Sequence, residues 1–116
     1  MKIQLSELIG ERCITVEQGT RLYDDILPRL KAGESVVIDL AGVKTLLSLF
    51  LNNSVGRLFK DFDSAALGHL LRFENPTRSQ QETLDRVMAN AEAYHRDPER
   101  RRAVDAALAR IVEEMD

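Results

Sequence analysis

Residues 34–56 read ESVVIDLAGVKTLLSLFLNNSVG, and the fold is decided by where this stretch changes its period. Val36, Val37, Ile38, Asp39 and Leu40 form a short run, rich in β-branched side chains, between Gly33 and the Ala41-Gly42 pair. Such a run predicts a buried strand. After Val43-Lys44-Thr45 the apolar residues Leu51, Val55, Leu58 and Phe59 recur at spacings of three and four, with Phe50 and Ser54 beside them. That is the period of a helix. A strand therefore runs through a loop into a helix N-terminus. In α/β proteins the carboxyl end of a strand is the usual place for binding, so functional residues are expected within residues 39–53.

On the amino-terminal side, Ile3 and Leu5 alternate with polar neighbours and predict an edge strand, with a second short strand around Arg12, Cys13 and Ile14. Thr15 and Gln18 have capping-box spacing, in which the hydroxyl accepts from the third helical amide and the Gln side chain reaches back. The helix that starts there carries Leu22, Tyr23, Ile26, Leu27 and Leu30 on one stripe. Gly33 is placed to end it in the left-handed conformation. Pro28 lies inside and is expected to kink this helix.

On the carboxyl-terminal side, residues 61–64 read as a turn. Residues 65–73 read as a further strand, because Leu67, Leu71 and Phe73 share a face at period two, with His69 among them. Asn75-Pro76 stops that strand. Thr77 with Gln80 and Ser79 with Glu82 then compete as capping boxes for a helix bearing Leu84, Val87, Met88, Ala91 and Tyr94. Asp97-Pro98-Glu99 is a start signal for a last helix, with Val104, Ala107, Leu108, Ile111, Val112 and Met115 on one stripe. The order of elements favours an α/β fold: a small, mostly parallel sheet of about four strands flanked by helices. Residues 1–96 form the domain. Residues 97–116 are a carboxyl-terminal helical extension, packed on the domain or on a partner, with a homodimer as one outcome.

Composition narrows the function. The chain has 116 residues, 44% hydrophobic and 30% charged, which are ordinary values for a globular domain. A net charge of −3 offers no general attraction to nucleic acid. Cys13 is the single cysteine and cannot form an internal disulfide, so a reducing cytoplasm is the expected location. No segment approaches the roughly 20 apolar residues of a membrane span. GxxxxGK[ST], GxGxxG and HExxH patterns are missing, and neither His69 nor His95 has a nucleophile placed beside it by sequence. A non-enzymatic protein without cofactor or metal is expected.

The stretch DLAGVKTLLSLFLNNSVGRLF, preceded by VEQGTRLYDDILPRLKAGESVVI, resembles STAS domains, in particular the small bacterial group described as STAS-like domains of unknown function. The resemblance covers residues 2–94. It implies a signalling module related to anti-sigma-factor antagonists, which bind a GHKL-type kinase that phosphorylates a Ser at the start of the helix after the central strand. On this sequence that position is Ser48. Leu47 stands where the family has Asp, and Leu49 and Phe50 stand where it has small residues.

Each candidate residue also has a structural reading. Ser48 is the phosphorylation candidate, or a helix cap contributing about 1 kcal/mol. Asp39 meets a partner, or anchors its loop by accepting backbone amides. Asn52, Asn53 and Arg57 join Asp39 and Ser48 as the expected partner-binding set, or are ordinary helix surface. Gly56, which costs a helix about 0.8–1 kcal/mol relative to Ala, is expected to allow close helix-to-sheet packing. His69 is expected in the core. Arg96, Arg100, Arg101 and Arg102 form a basic tract that would meet phosphates if the protein were a DNA-associated regulator.

Overall fold

The computed structural model describes residues 1–96. The expected last helix, and with it Arg100, Arg101 and Arg102, lies outside the described residues.

The central strand forms as its composition requires: β3, Val36–Asp39, buries Val36, Ile38 and Asp39. It is flanked by β1, Lys2–Gln4, and β5, Leu71–Glu74, in a three-stranded sheet of order β1-β3-β5, both pairings parallel. The register aligns Gln4, Asp39 and Glu74 across the sheet. Two further strands, β2 (Arg12–Cys13) and β4 (Thr45–Leu46), pair in parallel with each other and not with the central three. The single sheet of about four strands is thus corrected to three strands plus a separate two-residue ladder.

Among the described residues five α-helices cover the sheets: α1, Leu5–Leu8; α2, Val16–Lys31; α3, Ser48–Asn52; α4, Ser64–Leu70; and α5, Arg78–Arg96. The capping boxes at both long helices are formed. Thr15 Oγ1 accepts from Gln18 N at 3.1 Å while Gln18 Oε1 accepts from Thr15 N at 3.0 Å. At α5, Thr77 and Gln80 make the same exchange at 3.1 and 2.9 Å, so this pair prevails over Ser79 and Glu82. Each Gln also donates elsewhere: Gln18 Nε2 to Arg12 O at 3.1 Å, and Gln80 Nε2 to Val43 O at 2.9 Å. Helix α2 runs through Pro28, which sits on its exposed side, and ends in a Schellman arrangement. Glu34 N donates to Arg29 O and Gly33 N to Leu30 O, with Gly33 at φ 80°.

Two sequence readings are overturned. Residues 65–70 are helical and not the start of a strand, because Asp63 Oδ1 accepts from Ala66 N at 2.7 Å and caps α4. This local cap outweighs the alternation of Leu67, Leu71 and Phe73, and β5 begins only at Leu71. His69 consequently lies exposed on a helix and not in the core. The helix read through residues 50–59 is likewise broken. It consists of α3 and a 3-10 helix, Val55–Lys60, separated at Ser54. Buried Ser54 Oγ donates to Phe50 O at 2.9 Å, a side-chain bond that competes with the backbone ladder.

One continuous apolar core joins α2, β3, α3, the 3-10 helix and α5. Phe50, Ile26, Val36, Ile38, Val55 and Leu58 are fully enclosed in it. Among the described residues no helix is long and apolar enough to cross a membrane.

Candidate functional site

The site is built by the two-stranded ladder. Strand β2 leads through Ile14 and Thr15 into α2, and β4 leads through Leu47 into α3, so both helices start at the same end of the ladder. Leu47 N extends the pairing by donating to Cys13 O at 3.0 Å. The helices then pack closely: a Cβ on Gly19 of α2 would lie 2.7 Å from Phe50 O and 2.9 Å from Asn53 Cβ. Only glycine admits this approach.

Four large apolar side chains are exposed among the described residues: Met1, Val16, Leu47 and Leu49. Three of them mark the helix starts just described. Val16 opens α2, Leu47 precedes α3, and Leu49 is the second residue of α3, with Leu47 and Leu49 at 47% and 51% exposure. The next two residues, Phe50 and Leu51, are buried. The start of α3 thus sends one pair of apolar residues inward and leaves another pair, Leu47 and Leu49, about half exposed.

Ser48 lies between the two exposed leucines and is half-buried. It does not cap α3. The cap position belongs to Leu47, in extended backbone, and no side chain bonds to it there. The expected cap is therefore corrected by one residue. Ser48 Oγ instead accepts from Arg86 Nη2 of α5 at 3.3 Å.

The other expected partner-binding residues divide. Asn52 is exposed beside Leu49, and Asn53 is half-buried, donating from Nδ2 to Leu49 O at 2.7 Å. Arg57 is half-buried, its guanidinium stacked 4.1 Å from the centre of the Tyr23 ring, and the Tyr23 hydroxyl donates to Asp61 Oδ2 at 3.4 Å. Asp39 is only 4% exposed. Its Oδ1 accepts from Asn75 Nδ2 at 3.0 Å and from Ala41 N at 2.9 Å, and Lys2 Nζ lies 3.6 Å from Oδ2. The Asn75 and Ala41 hydrogen bonds, with Lys2 adding its charge, hold the Asp39 carboxyl below the usual carboxylate range. Lys2 also meets Glu74 at 3.1 Å, and Glu74 is the first cause of its raised pKa. The structural reading of Asp39, an anchor for its own loop, is the one that the geometry gives.

Several smaller readings are resolved alongside. Gly56 packs closely against Ala91 of α5, where a Cβ would lie 3.5 Å from its Cβ, so the close contact is between helices and not between helix and sheet. Cys13 is fully buried, and burial pushes its thiol up to about 11, away from reactivity. Arg96 pairs with Glu92 at 3.6 Å, and the other arginines of the basic tract lie outside the described residues. Among the described residues no three His, Cys, Asp or Glu side chains are grouped to hold a metal ion.

Sequence reasoning passed over Val16, Leu47, Leu49 and Arg86. The first three carried a signal, since none belongs to the apolar stripe of its own helix. Arg86 carried none, because its contact with Ser48 spans 38 residues of chain.

A family profile described as a STAS-like domain of unknown function matches residues 18–81, from the first turn of α2 to the first turn of α5. No curated protein and no solved structure matches the chain.

Proposed function

Because the chain belongs to the family of STAS-like domains of unknown function, we propose that it is a non-enzymatic regulatory module that docks on a protein partner through the start of α3. The observation that carries this reading is the exposed pair Leu47 and Leu49 on either side of Ser48. Burying the half of Leu47 and Leu49 that is exposed would stabilise a complex by roughly 1 kcal/mol each before the costs of association. Asn52 provides a polar rim beside the leucines, and Val16 extends the apolar area along α2. The resemblance to anti-sigma-factor antagonists supports a GHKL-type kinase, or a related regulator, as the class of partner.

Ser48 is the control point in this reading. A phosphate there would add about −1.5 to −2 charges between two apolar contacts. Arg86, already 3.3 Å from the hydroxyl, would receive it. The module would keep its fold while its docking surface changed from apolar to anionic.

The test is capture of partners from the native host by wild type and by a Leu47→Asp, Leu49→Asp double variant, with unfolding midpoints measured in parallel. Wild type is expected to retain a kinase-like ATPase, and the double variant to lose it at least tenfold with its midpoint preserved. Equal recovery of that ATPase by both chains would overturn the assignment of the surface.

A further inference from the structure

Arg86 stands beside the α3 surface as a cation with no anion of its own. Its Nη2 donates to Ser48 Oγ at 3.3 Å, and among the described residues the side chain makes no ion pair and no other hydrogen bond. Arg29, Arg78 and Arg96, by contrast, each lie 3.6–3.7 Å from a glutamate of this chain. The acids within one turn of Arg86 are engaged elsewhere. Glu82 is the partner of Arg78, and Asp85 Oδ1 accepts from Gln81 Nε2 at 2.8 Å. Helix α3 has no charged residue to offer.

The place of this unpaired cation matters because Ser48 sits between half-exposed Leu47 and Leu49. A guanidinium carries five N–H donors, and those not given to Ser48 are left to water. A partner that covers the leucines also displaces water from the group bonded to Ser48. A cation desolvated without an acceptor is costly, whereas a carboxylate takes two parallel N–H bonds from the guanidinium fork. We propose that the partner docking on α3 presents an aspartate or glutamate to Arg86, at the edge of the apolar residues that cover Leu47 and Leu49. A phosphate on Ser48 would occupy the same guanidinium, so modification and docking compete for one arginine.

The proposal rests on the α3 docking surface, and its test separates the two. The probe is the purified ATPase that wild type retains from the native host. Calorimetric titration compares wild type, Arg86→Ala and the Leu47→Asp, Leu49→Asp double variant. Arg86→Ala is expected to weaken binding about tenfold, with a shallower salt dependence than wild type and a preserved unfolding midpoint. An Arg86→Lys variant places an amine at the same site. Carbodiimide coupling of its complex is expected to join position 86 to an aspartate or glutamate of the ATPase through an amide bond located by mass spectrometry. Both results are required. Loss of binding in the leucine variant with Arg86→Ala unchanged would overturn this proposal and leave the surface standing. Unchanged binding by the leucine variant, or no ATPase retained by wild type, would overturn the surface and the proposal together. Binding abolished by phosphatase treatment of the ATPase would put a phosphate where the carboxylate is placed, and would overturn the proposal too.

Discussion

Asp39 and Ser48 lie nine residues apart, and the sequence marks both as places where a partner would be met. The structure treats them in opposite ways. Around Asp39 every strong interaction is internal: Asn75, Ala41 and Lys2 converge on a carboxylate that is almost fully enclosed. Around Ser48 the neighbours in sequence are two leucines left about half exposed. A polar residue at a strand end is readily consumed by the turn that follows it, because the backbone amides there need acceptors. An apolar residue left in water has no such internal use. Of the two regions, the apolar one is therefore the better marker of a docking surface.

The contrast is sharpest within α3 itself. Replacing fully buried Phe50 by Ala should cost about 3–5 kcal/mol in urea unfolding. The same substitution at its neighbour Leu49 should stay within about 0.5 kcal/mol. A large loss at Leu49 would break the comparison, since it would make that side chain part of the core. Next in size is Gly19→Ala, where a Cβ would press on Phe50 O at 2.7 Å and drive α2 from α3. It should cost about 1–3 kcal/mol, with an accompanying change in partner binding because both helix starts move. Thr77→Ala removes the cap of α5 and should cost about 1 kcal/mol by the same measurement, while leaving the α3 surface unaltered.

A pH-dependent effect is expected at Asp39. Its carboxyl titrates lower in the folded chain than in the unfolded one. The resulting stability is present above the unfolded value of about 3.9 and is lost as pH falls through the folded value. Asp39→Asn should therefore flatten the acid limb of a plot of unfolding midpoint against pH, lying below wild type at pH 7 and converging on it as pH falls. An acid limb as steep as that of wild type would show that the enclosed network contributes nothing of its own. The Ser48→Ala variant should have an unaltered acid limb, which separates the two regions in one experiment.

The elements that were legible in the sequence were those fixed by local chemistry. The capping boxes at Thr15 and Thr77, the Gly33 terminus and the β-branched run of β3 each depend on residues a few positions apart. Where two local signals compete, the reading failed. The alternation of Leu67, Leu71 and Phe73 concealed α4, although Asp63 was present as its cap. The break at Ser54 is hidden because its apolar neighbours keep helical spacing through it. The separation of β2 and β4 from the main sheet depends on pairing over more than thirty residues, which no local pattern encodes. For the candidate site, the resemblance directs attention to Ser48. Its bond to Arg86 and the exposure of its neighbours were set by tertiary packing.

The two capping glutamines have a consequence for how relatives of this chain should be compared. Gln18 and Gln80 each accept from the cap residue's amide and also donate, to Arg12 O and Val43 O respectively. Glutamate closes a capping box equally well but has no proton to give to a carbonyl. An exchange scored as neutral in any general substitution table would here bring two acceptors together and release one strand connection from its helix. Retention of Gln over Glu at these two positions is therefore a more discriminating signature of this arrangement than the apolar pattern around them.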